Sequence, residues 1–163
     1  MASTLDLLKR LNDSQVKFVL VDGMACVLHG SQMVTQDVDI CAPLNTDNLS
    51  AIIRALAGAH PRFRTTRDLN PLPEEPSQLK GYKNLYLLTD LGQLDILSDI
   101  SGVGEYGQVE QHAILLDLEG TPCRVLDLDT LIAAKKAMNS PKDRQAVTEL
   151  EAIRERLHDW GKL

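Results

Sequence analysis

The sequence predicts an α+β fold: a mixed β-sheet flanked by helices, with further helices at its C-terminal end. Two observations carry this. The hydrophobic pattern runs strand, helix, strand, helix, then mostly strands, then two helices, so strands and helices do not alternate as in a doubly wound sheet. The 163 residues, 44% hydrophobic and 25% charged, suit one domain able to bury its own core. That single domain is expected over 1–163, with a core at about 16–126 and a helical segment at about 127–160. Aromatic residues make up only 4%, so the core must be built mostly from Leu, Ile, Val and Ala.

Each element follows from local pattern. TLDLLKRLND places Leu5, Leu8 and Leu11 at helical spacing. VKFVLVD is a strand rich in β-branched residues, followed at once by Gly23; residues 24–29 read as a short helix ended by Gly30. DVDICA is the second strand, and NTDNLSAIIRALAG is a helix capped by Asn45 or Thr46 and stopped at Gly58. RFRTTR reads as a strand, and the proline-bearing DLNPLPEEPSQLKG as a surface loop. YKNLYLLTDLGQLDILSDI makes two strands around a turn at Asp90–Gly92, GVGEYG a glycine-rich connection, and AILLDLEGTPCRVL a hairpin around Glu119-Gly120. DLDTLIAAKKAM is a helix. The last helix starts at Ser140-Pro141 with Asp143 completing a capping box, and Val147, Leu150, Ile153 and Leu157 form its apolar stripe.

Composition narrows the function. A net charge of −6 argues against a general nucleic-acid coat, which needs Lys and Arg against phosphate, but suits an acidic site that recruits divalent metal. No apolar run is long enough to span a bilayer and the N-terminus lacks the pattern of a signal peptide, so a cytoplasmic protein with no membrane partner is expected. Cys26, Cys41 and Cys123 have no metal-ligand spacing and read as reduced thiols.

The chemistry concentrates in VDGMACVLHGSQMVTQDVDI, residues 21–40. In a strand Asp37 and Asp39 project to one side, roughly 6.6 Å apart, while Val38 and Ile40 enter the core. Two like charges on one face repel, and a hard divalent cation relieves them. The plainer alternative is a strand edge with two solvated acids. The D-x-D of LDLDTL differs, because it opens a helix: Asp127 is its N-cap and Asp129 a first-turn acid. Asp95, between Leu94 and Ile96, is a third carboxylate in an apolar strand; it either joins the pair or faces water. Lys135 shares a helix face with Leu128, Leu131 and Ile132, and either snorkels or approaches a phosphate or the acidic cluster. Arg62, Arg64 and Arg67 form a basic strip that either steers an acceptor or guards a sheet edge.

Strand, glycine, short helix and D-x-D strand in that order resemble the nucleotidyltransferase superfamily, with its DNA polymerase β-like fold. Gly23, Ala25, His29, Gly30, Thr35, Asp37 and Asp39 look most like the small bacterial AbiEii-toxin-like, minimal nucleotidyltransferase group. The resemblance covers most of residues 16–155 and sets Asp95 as the third acid. It implies transfer of a nucleoside monophosphate from an NTP to an acceptor hydroxyl of tRNA, a protein or a small molecule, in some members as the toxin of a toxin–antitoxin pair. Asp37, Asp39 and Asp95 would hold two Mg²⁺, with Mn²⁺ as a substitute, and Asp95 would help deprotonate the acceptor. Gly23, Met24, Thr35 and Lys135 would hold the nucleotide. The chain departs from the pattern at Asp22, where a glycine is usual, in SQMV, which lacks an arginine, and at Ser140, where an arginine is common. These departures leave a second reading, a catalytically silent binding or regulatory module.

Overall fold

The computed structural model describes residues 2–161 and has the expected α+β architecture. Helix α1 (Ala2–Asp13) leads into β1 (Val19–Val21), α2 (Asp22–Leu28), β2 (Val38–Cys41) and α3 (Thr46–Leu56). Next come β3 (Arg62–Phe63), a 3₁₀ turn at Pro76–Leu79, β4 (Asn84–Thr89), β5 (Gly92–Leu97), β6 (Asp99–Ile100) and β7 (Gly104–Glu105). Helix α4 (Tyr106–Gln111), β8 (Ala113–Leu118), β9 (Thr121–Leu126), α5 (Leu128–Met138) and α6 (Pro141–Trp160) complete the chain.

Seven strands form one sheet in the order β3-β4-β5-β2-β1-β9-β8, while β6 and β7 pair separately. The sheet is mixed. β2 runs parallel to β5 and β1 parallel to β9; the remaining neighbours are antiparallel. Among the described residues no helix is long and apolar enough to cross a membrane.

Directly opposed residues share a face, so the register sorts the side chains into two sets. Leu20, Ile40, Ile96 and Leu85 are opposed in turn, as are Val38, Leu94 and Leu87. All are buried, and with Leu7, Leu8 and Leu11 of α1 and Ile52 and Leu56 of α3 they belong to one core. The other face carries Val21, Asp39, Asp95 and Tyr86 in a single row across β1, β2, β5 and β4.

The caps follow local chemistry. Asn45 accepts from the backbone N–H of Asn48, and Asp127 from that of Thr130 at 2.8 Å. Ser140 and Asp143 form the reciprocal capping box. Glu119 and Gly120, with φ of 52° and 87°, make the hairpin turn that matches strand twist.

Four expectations need correction. Helix α2 starts at Asp22, one residue before the glycine, and Asp22 takes a φ of 57°. Of RFRTTR only Arg62–Phe63 is strand; the chain turns after Arg64. GVGEYG is not a bare connection, because it contains β7 and opens α4, where Glu105 and Gln108 form a second capping box. In α6 the apolar stripe leaves the body before its end: Leu150 and Ile153 are buried, but Leu157 is 59% exposed. The three cysteines are free and buried, and burial pushes their thiols up to about 11 or 12, which keeps them inert.

Candidate functional site

The row Val21–Asp39–Asp95–Tyr86 is the frame of the site. Asp39 and Asp95 lie directly opposite each other on parallel strands, about 4.8 Å apart in strand spacing. Asp22 follows Val21 at the mouth of β1. Asp37 lies one residue before β2, exposed, rather than inside the strand as expected. Four carboxylates therefore surround one end of the central strands.

Two of the four have their own cations. The Arg64 guanidinium grips Asp95 with both arms, Nε donating to Oδ1 at 3.1 Å and Nη2 to Oδ2 at 2.6 Å. Its plane lies over the Tyr86 ring, 5.1 Å from the centroid. The bonds to Asp95 raise the arginine's pKa further, helped by the charges of Asp37 and Asp39. Lys135 is buried and donates to Asp22 and, at 3.4 Å, to Asp143. Burial pulls its pKa down, but the bond to Asp22 and the charges of Asp22 and Asp143 outweigh that and leave it raised. Asp143 is held below its usual range, chiefly by the Ser140 hydroxyl.

Asp39 has no hydrogen-bonded cation among the described residues. Burial, and then the charges of Asp22, Asp95 and Asp37, push its carboxyl up from 3.8 to about 7, with Lys135 opposing. Burial is the larger cause, and the neighbouring acids add to it. Asp37, Asp39 and Asp95 offer only oxygen donors, which suits a hard divalent cation. As the side chains lie, no three His, Cys, Asp or Glu among the described residues converge closely enough to hold an ion. Asp95 is committed to Arg64.

The remaining sequence-selected residues fall nearby in different roles. Gly23 is buried against Thr35: a Cβ at that position would stand 3.3 Å from the Thr35 Oγ1. A side chain there would press on Thr35, whose own side chain would have to give by a few tenths of an ångström. Met24 is 2% exposed and belongs to the core, so its side chain does not face a ligand. A cavity of about 220 Å³ opens beside the Asp22–Lys135 pair, lined by Val21, Asn84, Leu97, Asp99, Ser101, Leu131 and Met138 among others. Asn84 donates to the Tyr86 hydroxyl at 3.1 Å, while its own buried oxygen has no partner.

Sequence reasoning brought Lys135 toward the acids but did not single out Asp22 as its partner or Arg64 as that of Asp95. Arg64 was visible only as one of three arginines, and Asp143 only as a cap. Tyr86 had a usable signal. A tight turn at Asp90–Leu91 pairs Thr89 with Gly92, and counting back along the hairpin sets Tyr86 opposite Asp95. No comparable count links Asp22 with Lys135, 113 residues apart.

No family model and no curated protein matches the sequence. Among solved structures, the chain is similar to a crystal structure from Thermotoga maritima of a protein provisionally described as a nucleotidyltransferase. The similarity has 17% identity and a TM-score of 0.49, and covers 94% of this chain and 89% of that one.

Proposed function

We propose that this chain is a divalent-cation-dependent nucleotidyltransferase that moves a nucleoside monophosphate from an NTP to an acceptor hydroxyl. One observation carries the reading: Asp39 and Asp95 stand side by side in register on parallel strands, with Asp37 just before Asp39. Asp37, Asp39 and Asp95 would hold the cation, Mg²⁺ or Mn²⁺. Bound there, it would supply charge neutralisation and Lewis acidity toward the phosphates.

The chain's own groups account for the rest. Lys135 neutralises Asp22, the acid standing where the related pattern has glycine, so a triphosphate near Gly23 is not met by a bare carboxylate. Gly23 and Thr35, packed together, keep the backbone approach narrow, and the cavity beside Asp22 offers mixed apolar and amide walls to the nucleoside. Asp95 takes the proton of the acceptor hydroxyl as its oxygen attacks the α-phosphorus. The bond from that phosphorus to the bridging oxygen breaks, and pyrophosphate leaves. The acceptor class (tRNA, protein or small molecule) and a cognate antitoxin belong to this proposal as carried by the resemblance; the cytoplasmic location belongs to it on the ground of the three free cysteines.

The second reading, a silent binding or regulatory module, is favoured by one specific observation, the pair of hydrogen bonds by which Arg64 holds both oxygens of Asp95. Label transfer separates the two. The protein is incubated with each α-labelled NTP, Mg²⁺ and total cellular RNA or lysate. Labelled product is expected with the native chain and should fall about a thousandfold in Asp37→Ala and Asp39→Ala, on the order of 4 kcal/mol of barrier. Transfer that persists in both variants sinks the mechanism. No transfer, together with no change in melting temperature on adding NTP and Mg²⁺, favours the silent module.

A further inference from the structure

We infer that Arg64 is a built-in counter-ion of the site: it holds Asp95 while no divalent cation is bound and releases it when one enters. The inference rests on the reading that Asp37, Asp39 and Asp95 form the cation site.

Four features of the structure point this way. Asp95 is 8% exposed and fixed in the middle of β5, where an unpaired carboxylate is costly. Arg64 meets both of its oxygens, at 3.1 and 2.6 Å, so neither is left free of the guanidinium. A divalent ion on the same carboxylate would stand a few ångströms from that positive charge, and the two repel strongly in a partly dry site. The two partners also differ in freedom. The Arg64 side chain is 32% exposed against 12% for Asp95, and Arg64 stands where β3 has ended and the chain turns. Its backbone N–H stays anchored on the Tyr86 carbonyl at 3.0 Å, so the side chain has a way out while its base stays put.

Lys135 provides the contrast. Its side chain is 8% exposed and is held by two carboxylates, Asp22 and Asp143, so it has no comparable way out. The fold thus has one fixed cation beside the row and one releasable cation within it. Tyr86 supports the held position through its ring face.

The test is Mn²⁺ binding to the full chain, followed by the electron paramagnetic resonance of free Mn²⁺, with melting curves as a folding control. Arg64→Gln should bind about tenfold more tightly than the native chain, because the ion no longer displaces a charged bidentate pair. Arg64→Lys keeps the charge but loses the fork and should also tighten binding. Arg62→Gln, whose native guanidinium stands by Asp90, should not change it. In parallel, the Nε–H resonance of Arg64 in the native chain should lose its protection when Mg²⁺ is added, which tests release even if Arg64→Gln fails to fold. Measurable Mn²⁺ binding that Arg64→Gln and Arg64→Lys leave unchanged overturns the inference and spares the site reading. Equal tightening by Arg62→Gln reduces it to a general charge effect and overturns it too. Absence of Mn²⁺ binding in the native chain and in every variant defeats the site reading, and this inference with it.

Discussion

The two faces of the central sheet come from the same strands and differ residue by residue. On one, Leu20, Ile40, Leu85, Leu87, Leu94 and Ile96 are fully buried. On the other, one residue along each strand, stand Asp39, Asp95, Tyr86 and Asn84. The first face gains stability from removing apolar area from water, about 25 cal/mol per Å². The second places carboxylates where burial and mutual repulsion oppose folding, and offsets this with Arg64 and Lys135. The period of two in a strand lets one sheet hold a rigid core and a strained site back to back. The rigidity of the first keeps the second in register.

This contrast is broken most severely from the apolar side. Ile96→Ala, next to Asp95 but on the opposite face, should cost about 2–5 kcal/mol of stability in denaturant unfolding. Cation affinity in the protein that stays folded should change little. Lys135→Met tests the other face. It leaves Asp22 and Asp143 without their shared cation and should cost about 3 kcal/mol, near the lower end for breaking a buried pair. Adding Asp22→Asn should recover part of the loss, and a double-mutant cycle that shows no coupling would contradict the ion pair.

A gentler probe is pH. The Asp39 carboxyl is raised to about 7 in the fold from 3.8, so the native state binds more protons than the unfolded chain between those values. Stability from this group is complete below the lower value and is lost as pH rises toward about 7. In cation-free buffer the melting temperature should fall over that window, and Asp39→Asn should flatten the fall; at 1.36 kcal/mol per pH unit between 3.8 and about 7, the loss it removes is at most about 4 kcal/mol. Millimolar Mg²⁺ should flatten it as well, and an unchanged slope with Mg²⁺ would count against cation binding at Asp39. The smallest effect lies far from both faces. Asp127→Ala removes the cap of α5 and should cost about 1 kcal/mol in chemical denaturation, with no effect on the pH profile.

Much of the fold was legible because its signals are local. The hairpin at Glu119-Gly120, the caps at Asn45, Asp127 and Ser140, and the helical spacing of Leu8 and Leu11 each depend on residues a few positions apart. Helix α4 escaped because six residues including Gly107 carry no full apolar period. The extent of β3 escaped because β-propensity in RFRTTR continues past the point where pairing with β4 ends.

For the site, the division follows the same physical line. The sequence by itself determined which residues carry the charge: Asp37 and Asp39 in their D-x-D, Asp95 between two apolar neighbours, and Lys135 on an apolar stripe. Only the tertiary structure decided who faces whom. The parallel pairing of β2 with β5 sets Asp39 against Asp95, the turn after β3 delivers Arg64 to Asp95, and α5 brings Lys135 to Asp22. Local pattern reports burial and periodicity, both properties of a short window. Charge compensation is a property of space, and here it joins residues 31 and 113 positions apart.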